Sequence, residues 1–282
     1  MPDTDTWRGL LAELLDDAAA LPPAVVPVAD AVARHRTHRR AWYADVVGPL
    51  LVPASAFPEL LAALQPGDDL AVGLVADTGL AGLARARAAL LDREDAARLS
   101  HVEVTLPVGH DPAAAARATL DHLDFSVPAA VAVPQGADWE RAVEVLAADG
   151  AEQALLRVDG PAPAEVPTEE RLAAVLRVCL DHGLAFRLAG GPQRPVRHTA
   201  PDGGERHGFL NVLAAVGAGQ AGAGTAELAA VLAERRHGPL LDRLAALPPA
   251  RIRSALLSFA ASEVSGPVDD LVSVGLLAQE KD

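Results

Sequence analysis

The chain has 282 residues and a formal net charge of −14, from 24 basic and 38 acidic side chains. α/β barrels commonly use this length for one domain, so we expect one main domain with a large core. The charge repels phosphate backbones and anionic lipid surfaces, so we expect neither nucleic acid nor membrane as a partner. Because the sequence has no apolar run near the roughly 20 residues that cross a bilayer, and its start is acidic, we expect a cytoplasmic protein.

Lysine and cysteine are scarce, and each scarcity excludes a class of chemistry. Lys281 is the one lysine, so a Schiff-base aldolase, a pyridoxal-phosphate enzyme and a Walker-type phosphate loop all lack the amine they need. Cys179 is the one cysteine, which excludes an internal disulfide and a multi-thiolate metal site. Its apolar neighbours predict a buried structural thiol. Basic chemistry must therefore come from arginine or histidine, and the sequence names no cofactor.

Two amphipathic patterns open the chain, at residues 6–21 and 25–40, and Pro22-Pro23 separates them. We predict both as helices. They form an N-terminal helical extension over residues 1–44, followed by a barrel-like domain over residues 45–282.

Short apolar runs and helical patterns then alternate. The predicted strands are 46–52, 70–76, 101–106, 129–133, 154–158 and 185–189, and the predicted helices are 80–91, 112–123, 139–149 and 168–182. Such consecutive βα units predict a parallel sheet. Later segments are less regular: 208–216 fits a helix or a strand, 225–247 fits a helix interrupted at Gly238-Pro239, and 255–259 fits a strand that closes the sheet. We predict an α/β fold, a complete or incomplete (β/α)8-type barrel, with an open doubly wound sheet as the alternative.

Alternation along the strands selects the candidate site. On the third predicted strand His101, Glu103 and Thr105 share the face opposite an apolar one, so they point into the barrel unless this strand is a solvated edge. Glu103 is a candidate catalytic base.

Two arginines occupy the matching face of the next predicted strands. Arg157 and Asp159 end the fifth strand, and Arg187 lies on the sixth. Two guanidinium groups in one lumen need an anion between them, which is Glu103, Asp159 or a bound carboxylate or phosphate. A purely structural charge cluster is the alternative reading.

The loop after the sixth strand combines glycine, arginine and histidine. Gly190 and Gly191 expose backbone N–H groups, and His198, His207 and Asn211 follow. This composition favours anion binding, with either histidine as the catalytic acid, although a loop without a ligand is the alternative. If both histidines converged on Glu103 they would form a metal-binding set, but the sequence does not fix their distance.

The motif His-Gly-Phe-Leu-Asn at 207–211 and the ending Pro-Val-Asp-Asp-Leu at 267–271 resemble a family of uncharacterised bacterial barrel-like proteins over about residues 40–277. That family carries lysines where this chain has Leu155 and Arg187. The same strands look distantly similar to those of deoxyribose-phosphate-aldolase-type barrels, whose chemistry depends on a lysine amine. A guanidinium stays protonated and is a poor nucleophile, so the resemblance implies the fold without that mechanism.

Two functions remain open. The first is a lyase- or isomerase-type enzyme acting on a small carboxylate or phosphate, in which Glu103 and His198 or His207 exchange protons. In that enzyme Arg157, Asp159, Arg187, Gly190, Gly191 and Asn211 would bind the substrate. The second is a diverged, non-catalytic barrel that binds a ligand or a protein, including a second copy of itself. The sequence alone does not decide whether the protein is an enzyme.

Overall fold

The structure is a computed structural model that describes residues 4–107, 111–123, 127–133, 139–148, 153–158, 165–190 and 194–278. Eight parallel strands close into a barrel. In chain order they are β1 (Leu15–Asp17), β2 (Val47–Pro53), β3 (Leu70–Val75), β4 (Ala97–Thr105), β5 (Ala129–Ala132), β6 (Gln153–Arg157), β7 (Ala185–Ala189) and β10 (Leu256–Ala261). A short antiparallel hairpin of β8 (His198–Thr199) and β9 (Glu205–Arg206) lies between β7 and β10 in the chain.

Helices follow the strands. They are α1 (Thr4–Leu11), α2 (Val28–Arg39), α3 (Phe57–Ala63), α4 (Gly79–Leu91), α5 (Pro112–Leu120), α6 (Trp139–Ala148), α7 (Glu169–Asp181), α8 (Phe209–Gln220), α9 (Thr225–Leu232), α10 (His237–Ala245), α11 (Pro249–Arg253) and α12 (Ser265–Ser273). Two short 3-10 helices cover Ala44–Val46 and Ala54–Ala56. Within the described ranges, no helix has the length and apolar character needed to cross a membrane.

The predicted barrel is confirmed, and it is complete. The six predicted strands are β2 to β7, which pair in parallel in sequence order, and a helix follows each of them. Strand β10 then pairs with β7 on one side and β1 on the other, which confirms the closing strand predicted at 255–259. A closed barrel has no edge strand, so the solvated-edge alternative for His101 and Glu103 is wrong.

The predicted helix over residues 6–21 is wrong in its second half. Helix α1 ends at Leu11. Glu13 has a positive φ of 48°, and the backbone changes direction there. Leu14 and Leu15 continue the spacing of a helical stripe, but they are buried because β1 lies between β2 and β10. The segment 1–44, predicted as an extension, therefore contributes one strand of the barrel wall.

The structure also resolves the irregular second half of the chain. Residues 208–216 are helical, since α8 begins at Phe209, and every residue from 209 to 219 is buried. The break in the 225–247 helix falls between Leu232 and His237, earlier than predicted. Gly238 and Pro239 instead lie in the first turn of α10, where proline costs no helical hydrogen bond.

The outer core shows which strand residues face the lumen. Leu156 and Phe186 pack in the same apolar cluster as Phe209 of α8, between the strands and the helices. Because side chains alternate across a strand, their neighbours on β6 and β7 point inward. Arg187 is one of these inward residues, so the outer packing of Phe186 and Leu188 places its guanidinium inside the barrel.

Candidate functional site

The barrel lumen contains a buried cluster of polar side chains contributed by five strands. We call it the lumen cluster, and its members are Asp16 of β1, His101 and Glu103 of β4, Gln153 of β6, Arg187 of β7 and Ser258 of β10. Burying so many polar groups costs free energy unless they satisfy one another. The contacts below show how far they do.

Arg187 is held by three partners on three other strands. Its Nε donates to Gln153 Oε1 at 2.9 Å, and its Nη1 donates to Asp16 Oδ2 at 2.9 Å and to Ser258 Oγ at 2.8 Å. Ser258 also donates to Asp16, so the ion pair spans the strand that separates β7 from β1. The counter-ion of Arg187 is thus Asp16. The expectation that Glu103 fills this role is wrong, and Asp159 lies outside the described residues.

His101 and Glu103 form a second pair on β4. The Nε2 of His101 lies 3.5 Å from Glu103 Oε1, and both side chains are buried. Gly73 makes room for the imidazole, since a Cβ there would lie 2.7 Å from His101 Cε1. The sequence prediction that an acid and an imidazole point into the barrel together is confirmed.

The two pairs act on each other electrostatically. Burial raises the pKa of the Asp16 carboxyl, while Arg187 and His101 oppose that rise and Glu103 adds to it. Arg253 on α11 adds a further charge. Its own pKa is lowered to about 10 by burial, against the attraction of Asp16. Charges from both pairs therefore act on the buried carboxyl of Asp16.

The floor of the cluster contains two unsatisfied atoms. Among the described residues, neither Asp16 Oδ1 nor Arg253 Nη1 has a hydrogen-bond partner, although both are buried. The other guanidinium nitrogen of Arg253, Nη2, donates to the carbonyl of Ala12 at 2.9 Å. A buried polar atom without a hydrogen-bond partner costs free energy. The carboxylate of Asp16 is therefore compensated through its other oxygen, which accepts from Arg187 and Ser258.

Arg157 lies at the carboxyl end of β6, where barrel sites form. It shares the face of Leu155, which is in register with Arg187, but Arg157 is exposed whereas Arg187 is mostly buried. The structure therefore places the two arginines on one face at different depths. Gly190 follows β7 with a φ of 68°, a left-handed conformation suited to glycine. Asp159 and Gly191 lie outside the described residues.

The loop after β7 forms the hairpin of β8 and β9, and its charged side chains pair with one another and with residues of neighbouring segments. Arg197 pairs with Glu169 of α7 and places its Nε 3.1 Å from Glu205 Oε2. Arg235 pairs with the same oxygen of Glu205. His198 is partly buried, and its Nδ1 lies 3.2 Å from the carbonyl of Val196. Arg197, one of the arginines in the loop predicted to bind an anion, is thus engaged by carboxylates.

His207 and Asn211 fix this loop to the barrel. The buried His207 places Nε2 2.7 Å from the carbonyl of Pro167. Asn211, also buried, donates from Nδ2 to three carbonyls and accepts from the Arg197 backbone N–H. These contacts lie within the protein, and among the described residues neither His198 nor His207 bonds to Glu103. The three residues predicted to share proton transfer are therefore not joined by hydrogen bonds.

A metal ion has no ready-made site in the described ranges, where no group of three or more His, Cys, Asp or Glu side chains is placed to hold one.

Cys179 is buried, as the sequence predicts. Burial raises the pKa of its thiol to about 12, so the thiol stays protonated and has a structural role.

Comparison with known proteins adds no further identification. No family model matches the chain, and no curated protein matches it.

Sequence reasoning found part of the lumen cluster and missed the rest. Glu103 and Arg187 were predicted from strand alternation, and His101 was placed on the same face as Glu103. Asp16, Gln153 and Ser258 were missed. Gln153 continues the inward alternation of Leu155 and Arg157 on β6, so that signal was present. On β10 the register shifts between Leu256 and Ser258, so a regular alternation does not reveal Ser258. Asp16 was missed because the spacing of apolar residues around β1 is typical of a helix.

Proposed function

We propose that the chain is a lyase- or isomerase-type enzyme that moves a proton on a small carboxylate or phosphate substrate, without Schiff-base chemistry. The observation that carries this proposal is the buried pair of Glu103 and His101 in the lumen. A carboxylate and an imidazole within reach of each other, shielded from water, are the groups that general acid–base catalysis uses. The pair lies on β4, whose carboxyl end opens at the face where barrel enzymes bind substrates.

In this proposal the two arginines have different tasks. Arg157 binds the anionic group of the substrate, because it is exposed at the carboxyl end of its strand. Arg187 is already neutralised by Asp16 and positions the deeper part of the lumen cluster. Glu103 accepts the proton from the substrate. The imidazole of His101 lies beside the Glu103 carboxylate and holds it in position. Neither His198 nor His207 serves as the acid, since a ring nitrogen of each lies against a loop carbonyl.

Ligand-induced stabilisation tests the binding step. We expect a panel of small carboxylates and phosphates to contain a compound that raises the melting temperature, and Arg157→Ala to abolish that rise. Arg98→Ala is the matched control, since Arg98 is an exposed arginine near the opposite end of β4. No stabilising compound in the panel, or equal stabilisation of both variants, would oppose the proposal.

Deuterium uptake tests the chemical step. In D2O, the compound that binds should exchange a carbon-bound hydrogen for deuterium, followed by NMR. Glu103→Gln should slow the exchange at least about 100-fold, as loss of a general base does, while binding persists. Unchanged exchange in Glu103→Gln would remove Glu103 from the mechanism.

A non-catalytic barrel is the second candidate, favoured by the internal pairing of Arg187 with Asp16, Gln153 and Ser258. In that case the lumen cluster is structural, and the protein binds a small anion, another protein or a second copy of itself. If the ligand is a small anion, this candidate predicts that the anion binds without any deuterium exchange in the parent protein.

A further inference from the structure

Thr105 lies on the inner face of the barrel at the carboxyl end of β4. Its neighbours Val104 and Leu106 are buried in the apolar layers outside the strands, so alternation directs the Thr105 side chain inward. The Leu106 N–H donates to the Ala132 carbonyl at 2.9 Å, which continues the ladder past Thr105. Unlike the buried Glu103 below it, Thr105 is exposed. Thr105 is therefore accessible from the open end of the barrel.

Thr105 and Glu103 are placed to contact one small ligand. They share one face of β4 two residues apart, which separates their Cα atoms by about 6.6 Å. Glu103 is 5% exposed, whereas His101, two residues deeper, is fully buried. A ligand that enters from the carboxyl end therefore meets the Thr105 side chain first and the Glu103 carboxylate next, and His101 lies behind them.

The inner-face residues in register with this pair are apolar. Val75 and Ala132 are partly exposed, so solvent reaches the inner face on both strands that flank β4. At the carboxyl ends of the described strands β3 to β7, the exposed polar side chains on the inner face are those of Thr105 and Arg157. The apolar residues in register are Val75 of β3, Ala130 and Ala132 of β5, and Leu155 of β6.

Removal of a proton beside a carbonyl group requires a second contact besides the base. When a carboxylate takes that proton, the C–H electron pair forms a C=C bond and the carbonyl oxygen becomes negative, which gives an enolate. A hydrogen-bond donor at that oxygen stabilises the charge. His101 is buried behind Glu103, and Arg157 binds the acidic group of the substrate in the proposed function. Among the described residues of this inner face, Thr105 remains as the donor to the carbonyl oxygen.

We propose that the Thr105 hydroxyl donates to the enolate oxygen, and that the substrate is a small oxo acid or oxo phosphate that loses a proton beside its carbonyl. This inference rests on the proposed function, since Glu103 is the base. The protonated Glu103 returns the proton to the enolate carbon, so the step needs no oxidant or reductant. Strands β4 and β6 lie two strand separations apart, about 10 Å, so a substrate of a few carbons can reach from Thr105 to the long side chain of Arg157.

Deuterium exchange in matched pairs of compounds tests the substrate class. The full-length protein is mixed in D2O with pyruvate, 2-oxobutyrate or dihydroxyacetone phosphate, and with the matching lactate, 2-hydroxybutyrate or glycerol 3-phosphate. By NMR, we expect exchange above the protein-free rate beside the carbonyl of at least one oxo compound, and none in its hydroxy partner. Equal exchange in both members of a pair, or exchange in none of these compounds, overturns the proposal.

Variants of Thr105 test its role in the exchange. Thr105→Val keeps the shape of the side chain without the hydroxyl, and should lower kcat for exchange about 100-fold with little change in KM, as loss of one oxyanion donor does. Thr105→Ser retains the hydroxyl and should keep most of the rate. Thr37→Val is the matched control, because Thr37 is exposed on α2, outside the barrel.

Comparison with Glu103→Gln separates this inference from the proposed function. An unchanged kcat in Thr105→Val, alongside a loss in Glu103→Gln, would overturn the role of Thr105 and leave the proposed function standing. A Thr105→Ser variant as slow as Thr105→Val would reduce the effect to packing and also overturn that role. Exchange that persists in both Glu103→Gln and Thr105→Val would overturn both proposals.

Discussion

The guanidinium of Arg187 is bonded to Asp16, Gln153 and Ser258 inside the barrel, so its charge is compensated by residues from three other strands. Removing one member of a buried ion pair leaves the other charge without compensation, which costs more than the pair itself contributes. The stability of the lumen therefore depends on both Arg187 and Asp16.

Arg187→Ala should lower the free energy of unfolding by roughly 3–5 kcal/mol, because Asp16 stays buried without its counter-ion. Urea denaturation measures this. Arg98→Ala is the control, and since Arg98 is exposed we expect a change within about 0.5 kcal/mol. Replacing both partners with apolar residues, as in Asp16→Leu with Arg187→Met, should recover most of the loss. A loss for Arg187→Ala as small as that of the control would contradict the ion-pair account.

His207 makes stability depend on pH. Burial lowers its pKa below the ordinary 6.5, so the unfolded chain binds this proton more readily than the folded one. Stability is therefore present above pH 6.5 and is lost as pH falls through the lowered pKa, by up to about 1.4 kcal/mol per pH unit.

His207→Gln should flatten this loss on the acid side of pH 6.5. Denaturation of parent and variant at several pH values gives the two slopes. His38, whose pKa burial also lowers, contributes in the same direction in both proteins and cancels in the comparison. Parallel slopes would mean that His207 titrates alike in the folded and unfolded states.

At the scale of elements, Asn211 joins α8 to two other segments. Its amide donates to the carbonyls of Val231, Leu232 and Glu234 at the end of α9, and its oxygen holds the Arg197 N–H before β8. The side chain is fully buried. One amide thus satisfies the backbone of a helix end and of the hairpin loop together.

Asn211→Ala should cost about 3 kcal/mol of unfolding free energy, because it leaves buried carbonyls and one N–H without partners. It should also make the hairpin more sensitive to limited proteolysis. Gln220→Ala is the matched control, since Gln220 ends the same helix and its Oε1 has no partner among the described residues. Equal losses for the two variants would mean that the Asn211 bonds contribute little.

At the scale of the molecule, barrel closure depends on β1. This strand is only three residues long, yet it pairs with β2 on one side and β10 on the other. It also delivers Asp16 to the lumen cluster and Asp17 to the outer layer, where Asp17 Oδ2 lies 3.0 Å from His35 Nδ1 of α2. Removing this strand opens the barrel and exposes two unpaired strand edges.

A chain of residues 45–282 alone should therefore fail to unfold cooperatively, although the sequence predicts it as a domain. Near-ultraviolet circular dichroism and thermal unfolding, with the full-length chain as control, measure this. Adding a peptide of residues 1–44 should restore part of the signal if β1 supplies the missing strand. A truncated chain with a native-like cooperative transition would show that β1 is dispensable for closure.

The sequence by itself determined the repeating part of the fold. From β2 to β7, apolar runs and helical stripes alternate at regular spacing, and each run buries residues on both faces of a parallel sheet. Alternation within those strands also placed Glu103 and Arg187 inside the barrel. These are local patterns, so the chain order alone carries them.

Only the tertiary structure decided which charges meet. Strand β1 contains two aspartates, which have low strand propensity, and its leucines continue a helical stripe, so no local pattern reveals it. Asp16 lies 171 positions from Arg187, and barrel closure brings them to 2.9 Å. In the same way, the carbonyls that engage His207 and Asn211 come from distant segments. A side chain's role depends on these long-range neighbours, which residue spacing along the chain does not encode.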